Sequence, residues 1–119
     1  MIKLIINGRP KSKDNEKFFN PRTRRPFTSE KFKSYEFNVK LQAKEQMNKN
    51  RWEMFTEPVF VKMTFFFINH IRMDLFNCPK SVCDALNKVV WKDDRLIHKG
   101  NLEIAISPDE RIEIEVWPL

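Results

Sequence analysis

Residues 58–68 read PVFVKMTFFFI, a run of β-branched and aromatic side chains that is apolar at nearly every position. A strand with one wet face alternates polar and apolar residues, and this run does not. The sequence therefore predicts a central strand with both faces buried. Pro58 suits the first position of such a strand, where no ladder N–H is required. The run delivers the chain to the polar residues Asn69 and His70, and His70 reads as a solvent-facing loop histidine.

Outward from that strand lies RMDLFNCPKSVCDALNKVVWKDDR, residues 72–95. Asp74 sits in its loop, a short amphipathic helix follows, and Asp93 and Asp94 close it. Asn77 is the predicted N-cap, and Pro79 belongs in the first turn. Val82, Leu86, Val89 and Val90, with Ala85 beside them, make the apolar face; Lys80, Asp84 and Lys88 form the opposite stripe. A helix of about ten residues spans roughly 15 Å. A chain that turns back at both ends would thus bring Asp74 and the Asp93–Asp94 pair together, as a site for a hard divalent cation requires. An ordinary surface helix with acidic flanks reads the same way. Beyond it, residues 102–106 and 111–117 alternate in period two around Ser107-Pro108-Asp109-Glu110, which predicts an antiparallel hairpin with one wet face.

Toward the N-terminus, residues 2–7, IKLIIN, predict a strand ended by Gly8-Arg9-Pro10. Residues 11–27 show neither helical nor strand period. Thr28 or Ser29 then caps a helix running to about Asn50, with Phe32, Tyr35, Val39, Gln42, Ala43 and Met47 on its apolar stripe and Phe37 and Leu41 widening it. The order of elements predicts an α+β fold: a single domain over residues 1–119, with two main helices packed on one mixed, mostly antiparallel sheet.

Charge is unevenly spread along the 119 residues, whose net charge is +6. Arg9, Lys11, Lys13, Lys17, Arg22, Arg24 and Arg25 crowd a basic loop at 9–28 that also holds Phe18, Phe19 and Phe27. Cations can neutralise phosphates and rings can stack on unpaired bases, so this loop is the expected nucleic-acid contact. The alternative for the rings is that they staple the loop to the core. No apolar run is long enough to span a membrane and no signal-peptide core opens the chain, so the expected location is cytoplasmic. Cys78 and Cys83 read as reduced, small hydrophobes. Glycine-rich phosphate loops, serine–histidine pairs at motif spacing and Cys-x-x-Cys sets are absent from the sequence.

Asp74-Leu75-Phe76-Asn77, Lys80, Asp84-Ala85-Leu86-Asn87 and Trp91-Lys92-Asp93-Asp94 occur in this order. The pattern resembles the RusA family of Holliday-junction resolvases, endonucleases often carried by prophages. The family pattern is Asp-x-Asp-Asn, a lysine three residues later, Asp-Ala-Leu and a terminal Asp-Asp. The resemblance is densest from Arg72 to Ile97 and extends weakly over the rest of the chain. It implies a homodimer that binds a four-way DNA junction and nicks symmetrically placed strands with Mg²⁺ or Mn²⁺, in recombination and repair. It implies Asp74 and Asp94 as catalytic and metal-binding carboxylates, Asp93 as a further metal ligand, and Lys80 as an essential, catalytic basic residue. Oxygen-only ligands suit these ions.

The sequence departs from that pattern at Phe76, which stands where the family has its second aspartate and cannot ligate a cation. Three readings follow. Another carboxylate, such as Asp84 or Glu103, completes the site; Asp74 and Asp94 hold the metal with waters; or the chain binds branched DNA without cleaving it.

Overall fold

The computed structural model describes residues 1–11, 30–70, 75 and 77–119, with the backbone alone at 17–19, 26–28, 30 and 31. Its elements are β1 (Ile2–Asn7), β2 (Lys17–Phe19), β3 (Pro26–Thr28), α1 (Glu30–Lys49), β4 (Val59–Phe67), α2 (Cys78–Leu86), β5 (Ile97–Ile106) and β6 (Arg111–Pro118). The main sheet has the order β1-β6-β4-β5, mixed in direction, with both helices packed on one face. The α+β architecture is as the sequence predicts.

β4 is the axis of the sheet. It pairs antiparallel with β6 on one side and parallel with β5 on the other. Its odd-numbered residues, Val59 to Phe67, are buried beneath the helices with Leu4, Ile6, Ile112, Ile114 and Val116 of the neighbouring strands. Val39, Ala43 and Met47 of α1 and Val82 and Leu86 of α2 complete that core. The even-numbered face is only half covered, which corrects the expectation of two buried faces. Among the described residues, no second layer lies over it. The rings are shielded locally instead: Trp117 tilts against Phe60 with centroids 5.1 Å apart, and the Arg111 guanidinium lies 3.8 Å above Phe66.

The predicted β5–β6 hairpin is also corrected. β4 lies between the two strands, so Ser107–Glu110 crosses the end of β4 instead of making a tight turn. Ser107 N–H donates to Phe67 O at 2.9 Å as it passes. Period-two alternation identifies strands, but it does not name their partners. The 9–28 loop, read as aperiodic, contains the short β2–β3 ribbon with Phe18 opposite Phe27. Phe37 and Leu41 do not widen the core stripe of α1; Phe37 is 68% exposed. In α2, Asn77 occupies the N-cap position without a side-chain cap bond. The helix ends at Leu86, so Lys88 lies beyond it with φ 65, outside the predicted stripe.

The free edge of β1 is closed by α1. Ile5 N–H donates to Gln46 Oε1 at 2.9 Å, and Gln46 Nε2 donates back to Ile5 O at 2.7 Å. Gln42 repeats this with Asn7 at 2.8 and 3.0 Å. Two amides thus stand in for a neighbouring strand, which explains why glutamines sit on an otherwise apolar stripe.

Phe65→Ala is expected to lose about 3–5 kcal/mol of stability, because Phe65 is fully buried against both helices, whereas Phe37→Ala should stay within about 0.5 kcal/mol. Urea unfolding midpoints at constant slope check this, and equal losses at the two positions would contradict the burial pattern.

Candidate active site

Parallel pairing of β4 with β5 forces a crossover, and α2 is that crossover. The chain leaves α2 at Leu86, makes the turn Asn87–Trp91, and enters β5 through a single 3₁₀ turn, Asp94–Leu96. Trp91 anchors the turn. Its ring is fully buried, and its Nε1–H donates to Asn87 Oδ1 at 3.0 Å. Phe55 locks the turn from the other side: its N–H donates to Val90 O and its carbonyl accepts from Lys92 N–H, at 2.8 and 2.9 Å. Lys88 N–H closes the loop onto Trp91 O at 2.7 Å, which holds Lys88 in the left-handed region. The residues after Trp91 therefore project from a fixed base.

Asp93 is tied to the residue two places on. Asp93 Oδ1 accepts from Arg95 N–H at 2.9 Å and from Arg95 Nε–H at 3.2 Å, capping the 3₁₀ turn. The backbone N–H first, and the guanidinium second, hold the Asp93 carboxyl below the usual range. Asp94 is half-buried. Burial, followed by the negative charges of Asp94 and then Asp84, pushes the Cys83 thiol up to about 12. Two carboxylates, one from each side of the turn, thus act on one sulfur. Cys83 stays a neutral thiol near pH 7, so the donors beside it are oxygens, the chemistry that suits Mg²⁺ or Mn²⁺. Lys80 is exposed one helical turn before Asp84, on the same face of α2. Both cysteines are free, Cys78 buried and Cys83 half-buried, as the sequence predicts.

Asp74 and Phe76 lie outside the described residues. Among the described residues, no group of three or more histidine, cysteine or acidic side chains could hold a metal ion. Any cation held beside Asp94 and Asp84 would need at least one further oxygen donor. Glu103 does not supply it: it stands six residues along β5 from Ile97, about 20 Å from the start of the strand.

Against the same turn lies a cleft of about 550 Å³ lined by Thr56, Lys88, Lys92, Asp93, Arg95 and Leu96. Lys88 also lines a second cleft of about 330 Å³ with Lys44, Asn48 and Trp52. The two make a continuous basic track from the end of α1 to the start of β5. Among the described residues, Asp93 is its only acidic lining residue, and it is paired with Arg95. Sequence reasoning missed this track because its cations come from separate elements. The signal available was the density of Lys88, Lys92 and Arg95 around the acidic pair.

The cations predicted in the 9–28 loop fare differently. Arg9 is committed within the fold: its Nη1 bonds the Glu110 carboxylate, Nη2 donates to Asn69 at 3.2 Å, and the guanidinium lies 5.3 Å over Phe67. Lys11 lies 6.0 Å over the Tyr35 ring, and its carbonyl accepts from Ser81 Oγ at 3.1 Å. Lys13, Arg22, Arg24 and Arg25 lie outside the described residues, and only the backbone of Lys17 is described. His70 is exposed, in line with its reading as a loop residue. Among the described residues, no helix is long and apolar enough to cross a membrane.

A search of curated proteins gives no match. The family model described as Endodeoxyribonuclease RusA matches residues 7–117, from the last residue of β1 nearly to the end of β6. Members of that family are Holliday-junction resolvase endonucleases that depend on divalent metal and act on branched DNA. With the motif turn held between α2 and β5, and a match that spans nearly its whole length, the chain belongs to the RusA endodeoxyribonuclease family.

Proposed function

We propose that the chain is a homodimeric endonuclease that resolves four-way DNA junctions in recombination and repair, dependent on Mg²⁺ or Mn²⁺. The observation that carries this reading is that the charges of Asp94 and Asp84 both reach Cys83 of α2, with basic clefts against the same turn, in a chain of this family. Asp74 and Asp94 are the principal metal ligands. Asp93 supports them from the neighbouring position, and Asp84 stands in for the carboxylate that Phe76 removes. A divalent ion bound there polarises the scissile phosphate and lowers the pKa of an attacking water. Lys80, one turn from Asp84, offsets the negative charge that builds on the phosphoryl oxygens. Lys44, Lys88 and Lys92 hold phosphates of the arm entering the site, and the 9–28 loop contacts DNA through its remaining cations. Two-fold symmetry of the dimer matches the symmetric cuts.

Phe76 favours a second reading, a family member that binds branched DNA without cutting it. The two separate in a cleavage assay on a labelled four-way junction with Mg²⁺ or Mn²⁺. Asp94→Asn and Asp84→Asn should each lower the rate by at least about 10²-fold, since even residues behind a metal ligand are worth roughly 10–100-fold, and junction affinity should hold or improve. Lys80→Ala should cost about 10²–10³-fold. No cleavage by the parent under either ion, with cleavage gained in Phe76→Asp, would establish the second reading.

Binding without divalent ion should fall steeply with salt. Combining Lys44→Ala, Lys88→Asn and Lys92→Ala removes three track cations, and asparagine tolerates the left-handed backbone at position 88. The slope of log affinity against log salt should become shallower by roughly 2–3. An unchanged slope would take the phosphates off this track.

A further inference from the structure

The two edges of the sheet are treated differently. α1 closes the β1 edge with Gln42 and Gln46, whereas no described residue bonds the outer backbone of β5. β5 is the longest strand, ten residues, and an open edge of that length is a template for another strand. Its helix-side face presents Leu102, 37% exposed, and Ile106, 50% exposed, where buried side chains stand on β4 and β6. Ile68, at the end of β4, is exposed as well.

We infer that β5 pairs antiparallel with β5 of a second copy about a two-fold axis at Asn101. The charge pattern selects this occupant and this register. Lys99, Asn101 and Glu103 share the face away from the helices, because they neighbour Phe60, Lys62 and Thr64 of β4. With Asn101 opposite its own copy, Lys99 of each chain faces Glu103 of the other, so two cross-strand ion pairs form at once. Shifting the axis to Leu102 places Lys99 opposite alanine, and shifting it to Glu103 sets two carboxylates against each other. In the Asn101 register, Leu102 packs over Gly100 of the second copy, whose lack of a side chain leaves room for it. Side chains directly opposite lie on one face of the sheet, so the pairing builds a continuous sheet of eight strands with both helix layers on the same side.

This inference rests on the homodimer reading and assigns its surface. The test is oligomeric state by light scattering at micromolar concentration, for the full chain and three variants. The parent should be a dimer. Lys99→Glu and Glu103→Lys should each weaken dimerisation by roughly tenfold or more, since each turns two attractive pairs into two repulsive ones. The double variant Lys99→Glu/Glu103→Lys should recover the dimer. Both positions of the exchange are exposed, so the fold is preserved, and circular dichroism verifies it. Asn101→Cys should cross-link to a covalent dimer on oxidation, because opposed residues in an antiparallel pair lie within disulfide reach. A parent dimer unaffected by either single reversal, with no Asn101→Cys cross-link, overturns the β5 pairing and leaves the homodimer standing. A monomeric parent overturns both.

Discussion

The structure depends on β4 taking a ladder on each side. Its apolar run makes it the strand with most to gain from the centre of the sheet, and that position separates β5 from β6. Once β5 is parallel to β4, the chain cannot join them by a turn. It must return along the sheet face, and α2 is the return. The motif residues lie on that return and at its end: Lys80 and Asp84 on the helix, Asp93 and Asp94 where the chain re-enters the sheet. The position of the site is therefore a consequence of strand pairing, not of local helix geometry alone.

The turn after α2 solves an electrostatic problem. Two adjacent carboxylates repel, and a flexible segment would let both face solvent. Here Trp91 and Phe55 fix the backbone, and Arg95 ties Asp93 down through one main-chain and one side-chain donor. The charge of Asp94 reaches Cys83 of α2 together with that of Asp84. The surrounding lysines gather positive potential, and among the described residues the one acid lining their track already has a partner. Negative charge for a cation and positive charge for phosphates are thus kept side by side on a rigid support.

Much of this was legible in the sequence. The apolar run at 58–68 identified the central strand, and the carboxylate–helix–carboxylate frame with its lysine identified the family. Other features were not legible, for physical reasons. β5 begins at Ile97, but His98, Lys99 and Asn101 lie at an open edge and show no burial pattern, so alternation emerges only from Leu102. The glutamines of α1 look like interruptions of an apolar stripe until a strand edge is placed beside them. Arg9 reads as a free cation in a basic loop, because nothing local announces Glu110 as its partner. Asp84 reads equally as a substitute for the missing aspartate and as part of a solvated face, since lysine–aspartate spacing on a helix describes both.

The central claim is that Asp94 and Asp74 close on one divalent ion despite Phe76, with Asp84 beside them. Anomalous scattering from crystals grown with Mn²⁺ tests it most directly. The account predicts one Mn²⁺ per chain, with carboxylate oxygens of both Asp74 and Asp94 in its inner shell. Crystals in which Asp74 points away from Asp94, with no manganese between them, would contradict it.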